Sequence, residues 1–153
     1  AKTSARPGKT RTINHFLINE SWYLVDLPGY GYASVPGKVR DRWFHATIDY
    51  ILRRETLVCL FVLIDCRLEP QSSDLRFMEF LGENQISFAR VFTKTDKISS
   101  SLLQKNLSRY DSVMSAKWSK MPVTFVTSSA AKRGREGILD FIEESINIFL
   151  NPA

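Results

Sequence analysis

Four consecutive residues, Thr93-Lys94-Thr95-Asp96, combine a carboxylate with a lysine two positions earlier. Such a carboxylate can accept two parallel hydrogen bonds from the ring N–H and the exocyclic amine of guanine. Adenine offers no such pair, and a buried acceptor left unpaired would reject it. The lysine stem can lie along the flat face of the base. The spacing indicates a guanine-reading loop, although a four-residue motif also recurs by chance.

Two further segments carry groups that suit a nucleotide. In Asp26-Leu27-Pro28-Gly29, a carboxylate that can hold Mg²⁺ through water precedes a glycine whose N–H can donate to a phosphate oxygen. The small residues of Thr127-Ser128-Ser129 let a backbone N–H reach the O6 acceptor of guanine. Taken singly, the first segment is also a common turn and the second an ordinary polar loop.

The elements that carry these motifs follow from hydrophobic periodicity. It predicts strands at residues 13–18, 22–25, 57–64, 87–92 and 122–126, and helices at residues 38–54, 71–81, 99–118 and 137–150. The first two strands, joined by Asn19-Glu20, predict an antiparallel hairpin. Strands and helices then alternate, which predicts an α/β fold with a mostly parallel sheet, helices on both faces and one antiparallel edge strand.

The strand over residues 57–64 is apolar on both faces, as expected of a central parallel strand. Ligands of such sheets bind at the carboxyl ends of the strands. The three motifs occur in order along the chain, and each lies at the predicted carboxyl end of a strand. Their combination predicts a nucleotide site at that edge of the sheet.

At this point the sequence resembles the EngB/YihA family, within the translation-factor-like class of P-loop GTPases. The resemblance covers essentially the whole chain and implies a three-layer P-loop GTPase fold. The segments that carry it are Thr3-Ser4-Ala5-Arg6-Pro7-Gly8-Lys9-Thr10, Ile13-Asn14-His15-Phe16-Leu17-Ile18-Asn19, Asp26-Leu27-Pro28-Gly29-Tyr30-Gly31-Tyr32, Leu63-Ile64-Asp65, Thr93-Lys94-Thr95-Asp96 and Ser128-Ser129.

The resemblance implies GTP or GDP as ligand, with Mg²⁺. It assigns the mobile effector segment to Gly8, Lys9, Thr10, Arg11 and Thr12, and the second switch to Asp26, Leu27, Pro28 and Gly29. Thr10 and Asp26 are the implied metal-binding residues. The base pocket is assigned to Thr93, Lys94, Thr95, Asp96, Thr127, Ser128 and Ser129.

The phosphate-binding motif G-x-x-x-x-G-K-[ST] does not occur in this sequence. Gly8-Lys9-Thr10 has no upstream glycine at the needed spacing and no preceding strand. We therefore expect that the N-terminal strand–P-loop–helix unit of the family is absent from this chain. Either the chain is a fragment of an ordinary GTPase, which we favour, or it is a natural variant that does not bind nucleotide.

No residue is assigned a catalytic role. Tyr30 follows Gly29, where many Ras-like GTPases place a water-orienting glutamine, so slow intrinsic GTP hydrolysis is expected. His15 is interpreted as an outward-facing strand residue rather than a general base. Asp65 ends a strand and is interpreted as a possible cap or turn former.

Composition sets the broader limits. The 153 residues, 44% hydrophobic and 24% charged, suit one globular domain over residues 1–153. Since no apolar run approaches ~20 residues, no membrane span is expected. Cys59 and Cys66 are expected to be reduced thiols of a cytoplasmic protein. A net charge of +5 favours a polyanionic partner. The basic clusters are Arg6, Lys9 and Arg11; Lys38, Arg40 and Arg42; and Lys132, Arg133 and Arg135.

Three functions from different classes are compared. The resemblance implies a monomeric GTP/GDP switch that assists assembly of the large ribosomal subunit, with ribosomal RNA as partner, and that supports septation in cell division. The alternative is a nucleotide-independent RNA-binding module with a GTPase-like fold. A flavodoxin-like or receiver-type domain gains slight support from Asp65 but leaves the base-reading motifs unexplained.

Overall fold

The structure, a computed structural model, describes residues 12–29 and 37–152. It divides into two compact units, Ala1–Thr56 and Leu57–Ala153. Each unit is described by itself below. Of the predicted site residues, Gly8, Lys9, Thr10 and Arg11 lie outside the described residues.

The first unit contains a hairpin and a helix. Strands β1 (Asn14–Ile18) and β2 (Trp22–Asp26) pair antiparallel, as the sequence predicts. Asn19 and Glu20 between them both have positive φ, the conformation that a primed hairpin turn requires. Helix α1 (Gly37–Arg53) follows, within a residue of its predicted bounds.

The second unit contains a parallel three-stranded sheet. Strands β3 (Leu60–Asp65), β4 (Phe88–Thr93) and β5 (Thr124–Val126) lie in the order β3-β4-β5. The register pairs Asp65 with Thr93 and Phe92 with Val126, so the three strands end at the same edge. That edge is where the sequence places the guanine-reading groups.

One strand differs from its prediction. The strand expected over residues 57–64 begins only at Leu60, whose N–H donates to the Ser87 carbonyl at 2.9 Å, because the partner strand β4 starts at Phe88. Among the described strands β3 is also an edge strand, and β4 is the central one. Among the described residues, the prediction that this strand is central is therefore wrong. The prediction that both of its faces are covered holds in part, because the Phe61 ring contacts the Phe141 ring at a centroid distance of 6.1 Å, whereas Leu63 on the same face is 66% exposed.

Three helices complete the second unit. They are α2 (Ser72–Glu83), α3 (Ser100–Ser115) and α4 (Arg135–Leu150). Ser99 is the N-cap of α3, and its hydroxyl accepts from the Leu102 N–H at 3.2 Å, which confirms the predicted helix start. The predicted extension of α3 to residue 118 ends instead at Ser115.

Helices cover both faces of this sheet. The Phe92 ring of β4 contacts the Tyr110 ring of α3, with ring centroids 5.2 Å apart. Phe125 of β5 contacts Phe141 of α4 at 5.4 Å. Phe125 lies next to Val126, the register partner of Phe92, and successive strand residues point to opposite faces. The α/β architecture with helices on both faces is thus confirmed.

The core of the second unit lies between β3, β4 and helices α2 and α3. Its largest fully buried side chains come from these elements and from the loop after β3. They are Val62, Ile64, Cys66, Met78, Leu81, Phe92 and Tyr110. Tyr110 also joins α3 to α2, since its hydroxyl donates to Asp74 at 3.1 Å and accepts from the Gln71 N–H at 3.3 Å.

Candidate functional site

The loop after β4 leaves the strand in an unusual conformation. Lys94, the residue that follows Thr93, has φ +62°, in the left-handed region. A short 3-10 helix, Thr95–Lys97, comes next. Non-glycine residues in this region are uncommon and concentrate where a site over-determines the backbone. Asp96 lies on this short helix, directly after the turn.

Thr95 fastens this loop to the loop after β5. Its N–H and its hydroxyl both donate to the Thr127 carbonyl, at 3.2 and 3.0 Å. Thr127 is held in turn, because its N–H and hydroxyl donate to the Phe92 carbonyl at 2.7 and 3.1 Å. Thr95 is 4% exposed, so within the described structure it holds the two loops together.

Asp96 is the carboxylate of the loop that follows β4. Its Oδ1 accepts a hydrogen bond from the Ser128 hydroxyl at 2.6 Å, and its Oδ2 lies 3.1 Å from the Lys97 ammonium. The Ser128 hydrogen bond, with a smaller contribution from Lys97, holds the pKa of Asp96 below its usual range. Each carboxylate oxygen has a further lone pair. Asp96 is therefore an oriented anionic acceptor that can take two more donors.

The loop after β5 is a closed turn. Ser128 and Arg133 exchange two backbone hydrogen bonds, at 3.1 and 2.9 Å. The Ser128 hydroxyl also accepts from the Ala131 N–H at 3.0 Å. Ser129 at the tip is exposed. A tip made of small residues leaves its backbone approachable, which suits an N–H that must reach a ligand oxygen.

Asp65 joins the site from a third strand end. Its Oδ2 accepts from the Lys94 ammonium at 2.8 Å. The Arg67 guanidinium donates to both its oxygens, at 2.9 and 2.7 Å, and the Arg67 N–H donates at 3.1 Å. The Arg67 side chain, with Lys94 adding to the effect and burial opposing it, holds the pKa of Asp65 well below its usual range.

Sequence reasoning treated Asp65 as a cap or turn former, and the hydrogen bond from the Arg67 N–H fits that interpretation. Its ion pair with Lys94 was missed. One signal could have found it: a carboxylate and a lysine at the carboxyl ends of two predicted parallel strands are expected to lie close together.

The first unit carries the remaining predicted site residues. Asp26 ends β2, where its register partner is Asn14. Leu27 is half-buried, Pro28 is buried and Gly29 is exposed. Thr12 is exposed, and its hydroxyl donates to Asn14 Oδ1 at 3.1 Å.

His15 is an exposed residue of β1, as predicted. Its Nε2 lies 3.0 Å from the Tyr50 hydroxyl of α1. Tyr30 lies outside the described residues.

Two kinds of feature are absent from the part of the chain that the structure describes. No group of three or more His, Cys, Asp or Glu side chains there is arranged to hold a metal ion. No helix there is long and apolar enough to cross a membrane. Cys59 and Cys66 are both free thiols, and burial raises the pKa of Cys59 to about 11.

The fold and the strand-end loops define a class, the GTPases. A family model described as "50S ribosome-binding GTPase" matches residues 1–94. A crystal structure of a probable GTP-binding protein EngB superposes with a TM-score of 0.77 at 20% identity, covering 90% of this chain and 83% of that one, which supports the P-loop GTPase fold.

Curated relatives give the particular family. The probable GTP-binding protein EngB of Phocaeicola vulgatus is 54% identical over 147 residues, covering 96% of this chain and 73% of that protein. The protein of the same name from Bacteroides fragilis is 55% identical over 151 residues, covering 99% and 75%. The chain belongs to the EngB family of GTP-binding proteins.

Proposed function

We propose that this protein is a guanine-nucleotide switch that hydrolyses GTP slowly and acts on the large ribosomal subunit. The main support for the nucleotide-binding part of this proposal is the 2.6 Å hydrogen bond between Ser128 and Asp96. It joins the loops that follow β4 and β5, so that a carboxylate and a tight backbone turn face the same ligand.

The base is read by complementarity of donors and acceptors. Asp96 accepts the ring N–H and the 2-amine of guanine, and a backbone N–H of the turn at Ser128 and Ser129 donates to O6. Lys94 covers the face of the base with its stem. Thr95 and Thr127 hold the two loops in register, and the Thr93 hydroxyl donates to the Ile64 carbonyl at 3.0 Å, which joins the end of β4 to β3. Adenine would leave the Asp96 acceptors unpaired.

The phosphate side is assigned to Gly8, Lys9, Thr10, Arg11 and Thr12 and to Asp26, Leu27, Pro28 and Gly29. Asp26 fits a Mg²⁺ ion, because a single carboxylate at a strand end, followed three residues later by an exposed glycine, suits an ion that keeps most of its water. Thr10 is proposed as the second protein ligand. When bound, the ion neutralises charge on the terminal phosphates.

Slow hydrolysis is proposed from the residue after the second switch. Tyr30 occupies that position and has no amide to orient an attacking water. Faster turnover would then need a group from a partner.

The ribosomal half of the proposal is supported by similarity and by charge. The matching family is described as binding the 50S ribosome, and this chain carries a net charge of +5. We propose a monomeric cytoplasmic protein with one GTPase domain over residues 1–153. We further propose that it assists assembly of the large subunit and that septation in dividing cells depends on it.

The nucleotide proposal is tested by calorimetry on the protein expressed from its own gene. Affinity for GDP should be about micromolar, with ADP and IDP bound far more weakly. Asp96→Asn should weaken GDP binding by about a hundredfold or more and should improve binding of XDP. The reason is that the new amide can donate to the 2-oxo group that xanthine carries in place of the amine.

Binding of XDP would show that the Asp96→Asn variant is folded. Asp140→Asn, on the exposed side of α4, is the matched control and should leave GDP affinity unchanged. A wild-type protein that binds ribosomal RNA but shows no guanine preference would overturn the switch in favour of the nucleotide-independent module.

A further inference from the structure

The end of strand β3 carries a carboxylate that the base-reading scheme does not use. Asp65 lies at the edge where β3 and β4 end together, and its Oδ2 accepts from the Lys94 ammonium at 2.8 Å. We propose that Asp65 is a positioning residue that fixes the Lys94 side chain for stacking on the guanine base. This inference rests on the proposed nucleotide site, and it adds to that site a residue from the end of a third strand.

Asp65 is itself held rigidly enough to position another group. The Arg67 guanidinium donates a hydrogen bond to each carboxylate oxygen, and this bidentate arrangement fixes the plane of the carboxylate. The next residue, Cys66, donates its N–H to the Thr93 carbonyl at 3.2 Å. Its carbonyl accepts from the buried Asn106 amide at 2.8 Å. The loop after β3 is thus tied both to β4 and to helix α3.

Lys94 needs such a partner for a physical reason. Its backbone has φ +62°, and its side chain is 53% exposed, whereas that of Asp65 is 18% exposed. A free lysine side chain has many rotamers, and ordering it on ligand binding costs conformational entropy. An ion pair at the ammonium end restricts those rotamers beforehand and leaves the apolar stem available for the base.

The arrangement also separates two roles along one loop. Asp96 faces the edge of the base and reads its hydrogen-bonding pattern. Lys94 covers the face of the base, which guanine and hypoxanthine share. A substitution at Asp65 should therefore weaken binding of both nucleotides by the same factor, while a substitution at Asp96 should change the preference between the two bases.

The substitution Asp65→Asn separates the role of Asp65 in forming the turn from its role in positioning Lys94. Its turn-forming hydrogen bond, from the Arg67 N–H to Oδ1, needs only a neutral acceptor. In Asp65→Asn the side-chain carbonyl can still accept that bond, but the charge that attracts Lys94 is lost. This substitution keeps the turn hydrogen bond and removes the ion pairs with Lys94 and with Arg67, so the Lys94→Ala background is needed to isolate the part that acts through Lys94.

The experiment is a double-mutant cycle on nucleotide affinity, measured with GDP and IDP on the full-length protein. Asp65→Asn should weaken GDP and IDP by the same factor, about tenfold, and should leave their ratio unchanged. In a Lys94→Ala background, Asp65→Asn should change either affinity by less than about twofold, because the group that Asp65 positions is gone. Asp111→Asn, which alters an ion pair with Arg90 elsewhere in the same unit, is the matched control and should change neither affinity.

Two results would overturn the inference. One is no loss of affinity in Asp65→Asn, and the other is an equal loss in the wild-type and Lys94→Ala backgrounds, which would mean that Asp65 acts independently of Lys94. Both differ from failure of the proposed function, in which the wild-type protein itself would show no preference for GDP over ADP.

Discussion

Ser128 is a single side chain on which two loops depend. It is 2% exposed, donates to Asp96 and accepts from the Ala131 N–H. A hydroxyl can perform both tasks, and no apolar side chain of similar size can. The carboxylate that we propose reads the base is thus oriented by a residue that need not touch the base through its own side chain.

Replacing Ser128 tests this dependence. Ser128→Ala should weaken GDP binding by about tenfold, because Asp96 loses its fixing donor and the Ala131 N–H loses its acceptor. Calorimetric titration with GDP measures the change. The control is Ser115→Ala, which removes a hydroxyl that donates only locally, to the Ser112 carbonyl of α3. Equal GDP affinity in Ser128→Ala and wild type would contradict the proposed role of the hydroxyl.

Asp65 gives a pH-dependent prediction. Its pKa is lower in the folded chain than in the unfolded chain, chiefly because of Arg67. Its contribution to the free energy of unfolding is therefore fully present above the ordinary aspartate pKa of about 4, and it is lost as the pH falls through the lower folded-state value. Thermal unfolding should show Asp65→Asn clearly less stable than wild type at neutral pH.

That difference in Tm should shrink steadily as the pH falls below about 4, because the unfolded chain then takes up a proton that the folded carboxyl does not. Asp140→Asn controls for the loss of one exposed negative charge. A difference in Tm that stays constant from neutral pH down to pH 2 would show that the ionised state of Asp65 does not stabilise the fold.

At the scale of elements, the boundaries that depend on local sequence were predicted correctly. The boundary that depends on pairing with a distant strand was not. Asn19-Glu20 predicted the hairpin because a two-residue turn with positive φ is a local property. Ser99 predicted the start of α3 for the same reason. The start of β3 at Leu60 depends instead on where β4 begins, which periodicity within residues 57–64 cannot reveal.

The same distinction applies to the candidate site. The motif Thr93-Lys94-Thr95-Asp96 was recognised from its residue types, because the chemistry of guanine limits which groups can bind it, and its role in reading the base stays a prediction. The 3-10 helix at Thr95–Lys97 and the left-handed backbone of Lys94 could not be predicted, since no glycine or asparagine marks the turn. Nor could the pairing of Lys94 with Asp65, which joins residues on different strands.

Gly134 controls how β5 leads into α4. It precedes Arg135, the first residue of α4, with φ +78°, and an added Cβ would lie 2.5 Å from the Val126 carbonyl oxygen. Gly134→Ala should lower the free energy of unfolding by about 2 kcal/mol, since it combines left-handed strain with a backbone clash. Denaturant titration with guanidinium measures the change.

Gly137, three residues later, is the matched control. A Cβ there would meet only Phe125 Cε1, at 3.9 Å, which is an ordinary contact. Because the residue lies inside α4, Gly137→Ala should raise the free energy of unfolding by about 0.5–1 kcal/mol. Equal effects of the two substitutions would show that the conformation at residue 134 places no special demand on the chain.

At the scale of the molecule, the residues that we propose read the base all belong to one compact unit, Leu57–Ala153. They follow the carboxyl ends of two adjacent parallel strands, and Asp65, proposed to position Lys94, ends the next strand of the same sheet, so the register of one sheet sets their spacing. The residues proposed for the phosphates belong to Ala1–Thr56. This division means that recognition of the base and recognition of the phosphates can be impaired by separate substitutions.

The charge of the whole molecule gives the last prediction. Of the three basic clusters, the described side chains of Lys132, Arg133 and Arg135 are all exposed. If this cluster contacts ribosomal RNA, Lys132→Gln/Arg133→Gln should weaken binding to the large ribosomal subunit by about tenfold near physiological salt. It should also reduce the slope of log affinity against log salt by about two, because two fewer phosphates are neutralised.

Sedimentation binding assays over a range of salt concentrations measure both quantities. Lys105→Gln/Lys120→Gln removes two exposed charges from the same unit and serves as the control, with a smaller expected effect on either quantity. The cluster would be ruled out as an RNA contact if both double variants lost affinity equally, since net charge alone would then explain binding. An unchanged salt slope in the Lys132→Gln/Arg133→Gln variant would rule it out for a different reason, because no phosphate contact would have been removed.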